Sequence, residues 1–104
     1  MNLNFEEISF QIIAFAGEAK GHAMQAIFNA KEGKFEEAFK ELELSDESMI
    51  NATSAHFDVI TAEAAGNKFN IPVLFMHAED QLLTTQTIMI LAKEFIDLYK
   101  KIEK

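Results

Sequence analysis

The chain has 104 residues, no cysteine, no tryptophan, one proline and a formal net charge of −8 at pH 7. That length fits a single domain spanning 1–104, and the missing cysteine excludes disulfides, thiolate metal sites and cysteine nucleophiles. The 9 basic residues are all lysines, so this acidic chain is a poor partner for nucleic acid, which is bound through clustered cations. No apolar run approaches the ~20 residues of a membrane span, and the acidic start Met1-Asn-Leu-Asn-Phe-Glu-Glu7 is unlike a signal peptide. The expectation is a cytoplasmic protein with no direct membrane insertion.

Two breaks divide the chain: Gly33 within Lys31-Glu-Gly-Lys34, and Gly66-Asn67 followed by Asn70-Ile-Pro72. The pieces between them are rich in Ala, Glu, Lys, Ile, Leu and Phe, which predicts three helices over roughly 3–31, 35–66 and 71–102. In the first, Phe5, Ile8, Ile12, Phe15, Ala19 and His22 recur at steps of three and four, beside a row of Ile13, Ala16, Ala23, Ile27 and Ala30. Its His22 lies near the small residues Ala16, Gly17 and Gly21, which favours a packing role. The second helix is the most polar, and its acidic run reads as a solvated face. Phe35, Ala38, Phe39, Leu42, Ile50, Phe57 and Ile60 supply its expected core-facing positions. Leu44-Ser45-Asp46 resembles a break with a new cap, but with no Gly or Pro there one continuous helix is expected.

The third helix has the clearest pattern. Phe75, Ala78, Leu82, Thr85, Met89, Ala92, Ile96 and Tyr99 form one stripe, and Ile88, Leu91, Phe95, Leu98 and Ile102 form another. Pro72 suits its first turn and Asn70 a cap just before it. Three helices of about 30 residues would each reach about 45 Å, and short connections make sequential neighbours antiparallel. A slender all-α rod with so broad an apolar sector has surface left to bury, so self-association is expected.

Followed backward from Ile88, the second stripe turns polar at Thr84, Gln81 and His77, with Asp80 one turn from both His77 and Thr84. Such a local violation of patterning is expected mainly at functional sites or specificity devices. The bland alternative is a structural histidine beside a solvated carboxylate. Other chemistries are absent: there is no paired Glu-x-x-His of a di-iron bundle, no His-Glu-x-x-His, no Gly-rich phosphate loop and no Gly-x-Ser-x-Gly elbow.

The block His77-Ala-Glu-Asp80-Gln-Leu-Leu-Thr84-Thr85 resembles the phosphorylation-site block of the lactose/cellobiose-type IIA proteins of the bacterial sugar phosphotransferase system, usually His-Ala/Gly-Gln-Asp-His-Leu-Met-Thr-Thr/Ala. Ala16-Gly17-Glu-Ala19-Lys20, Gly33-Lys-Phe35, Glu63-Ala-Ala-Gly66 and Leu98-Tyr99-Lys100 resemble further family motifs in the same order. The resemblance implies a homotrimer forming a nine-helix bundle. It implies that His77 accepts a phosphoryl group from the phosphohistidine of HPr and passes it to a cysteine of the IIB component, for uptake of a disaccharide such as lactose or cellobiose. It implies, too, that Asp80 from three subunits binds a divalent cation, typically Mg2+, on the threefold axis. Like carboxylates converging there would repel unless protonated or bridged by a hard cation.

The shell around the acceptor departs from the family pattern. Glu79 and Gln81 stand where the family has Gln and His, and Thr53 and His56 where helix two has His and Gln. Glu79 adds a negative charge beside the acceptor. Gln81 remains a candidate supporting group, able to donate and accept hydrogen bonds but not to carry charge. His56 restores an imidazole near the site if helices two and three face each other there. Two rivals follow: a non-catalytic regulatory or binding paralogue on the same scaffold, and a two-component histidine phosphotransfer domain. The second usually has Lys three residues after its histidine, where this chain has Asp80.

Overall fold

The computed structural model describes residues 3–103, which form three helices: α1 (Phe5–Lys31), α2 (Phe35–Ala64) and α3 (Val73–Ile102). The starts of α1 and α3 lie two residues later than the periodicity suggests, and α2 ends two residues earlier. Both turns are built by glycine. Gly33 (φ 81°) and Gly66 (φ 101°) take the left-handed conformation just past α1 and α2. In each case the next amide reaches back to close a Schellman cap: Lys34 N–H to Asn29 O at 2.8 Å, and Asn67 N–H to Ala62 O at 3.2 Å. At the other end of α1, Asn4 Oδ1 accepts from Glu7 N–H at 3.0 Å. Asn70 does not cap α3: Pro72 itself occupies the cap position, in extended conformation and with no side-chain hydrogen bond.

α1 packs against both other helices, whereas α2 and α3 meet only sparingly. The edge-on contacts of Phe5 with Phe69 and Phe75, each at 5.4 Å, bring the starts of α1 and α3 together and seat the long connection beneath them. α1 and α3 therefore run parallel and α2 antiparallel to both. The rod measures 56 × 20 × 19 Å, and its radius of gyration of 16.3 Å exceeds the ~13 Å of a compact domain of this length.

The narrow cross-section follows from the inner residues. Along α1 the buried positions are Ser9, Ile12, Ala16, Ala19, Ala23, Ala26 and Ala30, and Ala38, Ala52, Ala55 and Ala62 of α2 and Ala78 and Ala92 of α3 are buried as well. Alanine lets helix axes approach to the short end of the usual 8–10 Å. α2 runs unbroken through Leu44-Ser45-Asp46 because Ser45 faces inward and its hydroxyl donates to Ala19 O at 2.7 Å rather than capping a new helix.

Large apolar side chains are correspondingly displaced outward. Ile50 (65%), Phe57 (60%), Ile60 and Phe39 of α2, expected in the core, are exposed. So is most of the second stripe of α3: Leu91, Phe95, Leu98 and Ile102 are exposed, and Ile88 is half-buried. The first stripe faces α1, and of the second only Ile88 packs against the core.

Candidate functional site

α3 carries the site on its free face. Its buried residues, Phe75, Ala78, Leu82, Thr85, Met89, Ala92 and Ile96, face inward. His77, Asp80 and Thr84 are exposed and Gln81 is half-buried, on the line that continues through Ile88 to Ile102. The four polar side chains thus share one helix face at the end of the rod where α1 and α3 begin. Among the described residues His77 makes no side-chain hydrogen bond, either to Gln81 or to another helix, so one chain leaves both ring nitrogens accessible. An exposed imidazole of this kind can act as a nucleophile, and no described group of the same chain fixes its tautomer.

Glu79 does not stand beside His77. At 100° per residue it points about 200° around the helix from His77, because positions two apart do not share a face. There it meets α2: His56 Nδ1–H donates to Glu79 Oε1 at 2.5 Å, with both side chains about three-quarters buried (24% and 22% exposed). α2 and α3 do face each other at this level, but the imidazole reaches Glu79 rather than His77. Two of the departures from the family pattern therefore meet each other. The i,i+2 spacing was a signal available in the sequence; the pairing across helices was not.

The remaining candidates lie elsewhere. Thr53 folds its hydroxyl back onto Met49 O (3.0 Å) and Ile50 O (3.1 Å) of its own helix. His22 pairs with Glu41 at 2.6 Å, joining α1 to α2 roughly 20 Å further along the rod at the standard helical rise. An exposed row missed by the sequence reading, Met76, Leu83 and Ile90, runs along the outer side of α3 at steps of seven. Among the described residues no three metal-ligating side chains cluster within one chain. Asp80 offers a single exposed carboxylate, a hard oxygen donor suited to Mg2+ but too little to hold it alone. A site of that kind fits only if copies of Asp80 converge.

Comparison with known proteins identifies the family and the fold. Residues 7–100 match the family described as the PTS system lactose/cellobiose-specific IIA subunit. The lichenan-specific phosphotransferase enzyme IIA component of Bacillus subtilis (strain 168) is 40% identical over 102 residues, covering 98% of this chain and 93% of that protein. A lactose-specific EIIA component of Staphylococcus epidermidis is 33% identical over 94 residues, 90% of each. The crystal structure of the cellobiose-specific enzyme IIA from Bacillus anthracis superposes with a TM-score of 0.92 at 41% identity, over 98% of this chain and 94% of that one. The fold and these matches define a sugar-specific component of a phosphotransferase system. The chain belongs to the lactose/cellobiose-specific IIA family.

Proposed function

We propose that the chain is a phosphocarrier, a phosphotransferase component in which His77 takes a phosphoryl group from the phosphohistidine of HPr and hands it to a cysteine of a IIB component. In the first step the N–P bond of the donor breaks as a ring nitrogen of His77 bonds to phosphorus; in the second the thiolate sulfur displaces His77. Such transfers depend mainly on positioning and charge stabilisation, so a sparse site suffices. The exposed imidazole on the free face of α3, in a chain of this family, carries the reading. The sugar at the end of the relay is a disaccharide such as lactose or cellobiose. The relay works in the cytoplasm, and no described helix is long and apolar enough to cross a membrane. With no arginine in the chain, cations of the partner proteins offset the phosphoryl charge.

The proposal includes a homotrimer. Two separate apolar faces, Leu91-Phe95-Leu98-Ile102 on α3 and Ile50-Phe57-Ile60 on α2, are exposed in one chain. Different faces that meet head to tail form a ring when the rotation between copies closes, whereas a twofold dimer uses one self-complementary face. Asp80 from each copy then holds Mg2+, or another hard divalent cation, on the axis.

Incubation with phosphoenolpyruvate, enzyme I and HPr should label the chain with acid-labile phosphate, and His77→Ala should abolish it. Equal labelling of His77→Ala would refute the assignment. Failure of wild type to label, with association intact, would favour the non-catalytic paralogue.

A further inference from the structure

The pair formed by His56 and Glu79 is polar, crosses between helices and lies directly behind the acceptor, yet the relay above makes no use of it. Its position is informative. Among the described residues the other ion pair between α2 and α3 is Lys93 with Asp46, a long 4.0 Å contact between side chains that are both about half exposed. His56–Glu79 is far shorter and more enclosed, and it lies in the half of the α2–α3 seam that carries His77. α2 and α3 meet only sparingly, and among the described residues His56 is the one hydrogen-bond partner of the Glu79 carboxylate.

Without that donor a largely buried carboxylate must find water, because a desolvated charge lacking a hydrogen bond is strongly unfavourable. Its outward route passes over the exposed Met76 and Leu83, the sector of α3 between Glu79 and Asp80. That movement brings a second carboxylate toward the face where a phosphoryl group, carrying about −1.5 to −2 on other phosphorylated side chains, must arrive. Asp80 is already there.

We propose that His56 is a positioning residue for phosphoryl transfer: its Nδ1–H clasps Glu79 in the α2–α3 seam and keeps that carboxylate off the face of His77. The inference rests on the phosphocarrier reading and adds a residue on a different helix to its machinery. It also accounts for how this chain accommodates a glutamate two positions from a phosphoryl acceptor.

The test is a double-mutant cycle on the full chain, reading phosphoryl uptake from phospho-HPr. His56→Ala should slow uptake about tenfold, an effect of ~1.4 kcal/mol on the barrier. Glu79→Ala should remain within about twofold of wild type, and His56→Ala/Glu79→Ala should return to that level. The double alanine variant has no clasp at all, so recovery assigns the defect to the freed carboxylate and not to lost packing. The defect of His56→Ala should also shrink as ionic strength rises, since salt screens exposed charges. His56→Gln, which retains an N–H donor for Glu79, should behave as wild type even if the alanine variant folds poorly. A double variant as slow as His56→Ala, or a His56→Gln variant slowed tenfold, would overturn the proposal. Absence of phosphate on His77 in wild type would instead overturn the reading beneath it.

Discussion

Leu82 and Leu83 are adjacent in sequence and opposite in environment, which makes them a sharp test of the packing. Leu82 is 2% exposed on the inner face of α3, and Leu83 is 59% exposed on its outer side. Truncating Leu82 to alanine deletes three carbons, about 2.4 kcal/mol of transfer free energy at ~0.8 kcal/mol each. Its same-face neighbours Ala78 and Thr85 are too short to close the gap. A residual cavity of roughly 50 Å³ adds about 1.2 kcal/mol at ~24 cal/mol per Å³. Leu82→Ala should therefore cost about 3.5 kcal/mol, a large share of the ~5–15 kcal/mol typical of a domain. Leu83→Ala should change the chain's own unfolding by less than about 0.5 kcal/mol. The assay is urea denaturation followed by helix signal at several protein concentrations. Any loss at Leu83 that grows with concentration reports association rather than folding. Equal losses at the two positions in dilute protein would refute the burial assignment.

Other substitutions probe single features. Ser45→Ala removes the hydroxyl that donates to Ala19 O and should lower stability by about 1 kcal/mol, measured by the same denaturation. Gly17→Ala should raise stability by roughly 0.5–1 kcal/mol, since nothing within one chain lies near the added methyl group; a loss that appears only in the assembled protein would mark a close contact with another copy. Gly33→Ala should be destabilising, because φ of 81° is strained for any side chain and an added Cβ would meet Glu103 at 3.0 Å. Asp80→Leu should abolish any dependence of the proposed trimer's stability on divalent cation in sedimentation with and without chelator; wild-type association indifferent to chelator would count against an axial metal.

The three helices and their two breaks were legible in the sequence because apolar periodicity and glycine position act locally. The inner stripe of α3 was legible for the same reason. What periodicity could not separate was which of two adjacent apolar stripes faces α1. Phe57 and Ile60 follow helical spacing as faithfully as Val59, yet Val59 is buried and the other two are exposed. That choice is made by neighbouring helices, whose alanines set the spacing. At the site, His77, Asp80, Gln81 and Thr84 share a face by spacing alone. The partner of Glu79 was not legible, because contact between residues 56 and 79 depends on the register of two helices and not on either one.

The alanine seam along α1 has a consequence for how the molecule would serve the two partners of the proposed relay. An alanine has no side-chain torsion to freeze, so burying it loses almost no rotamer entropy. An interior made largely of such residues offers few alternative arrangements of comparable energy, and the rod has little means of adapting by repacking from within. In the proposed relay, phospho-donor and phospho-acceptor would then meet His77 on the same unyielding scaffold. Recognition of each is left to side chains on the outside, which can diverge without disturbing the helices that carry them.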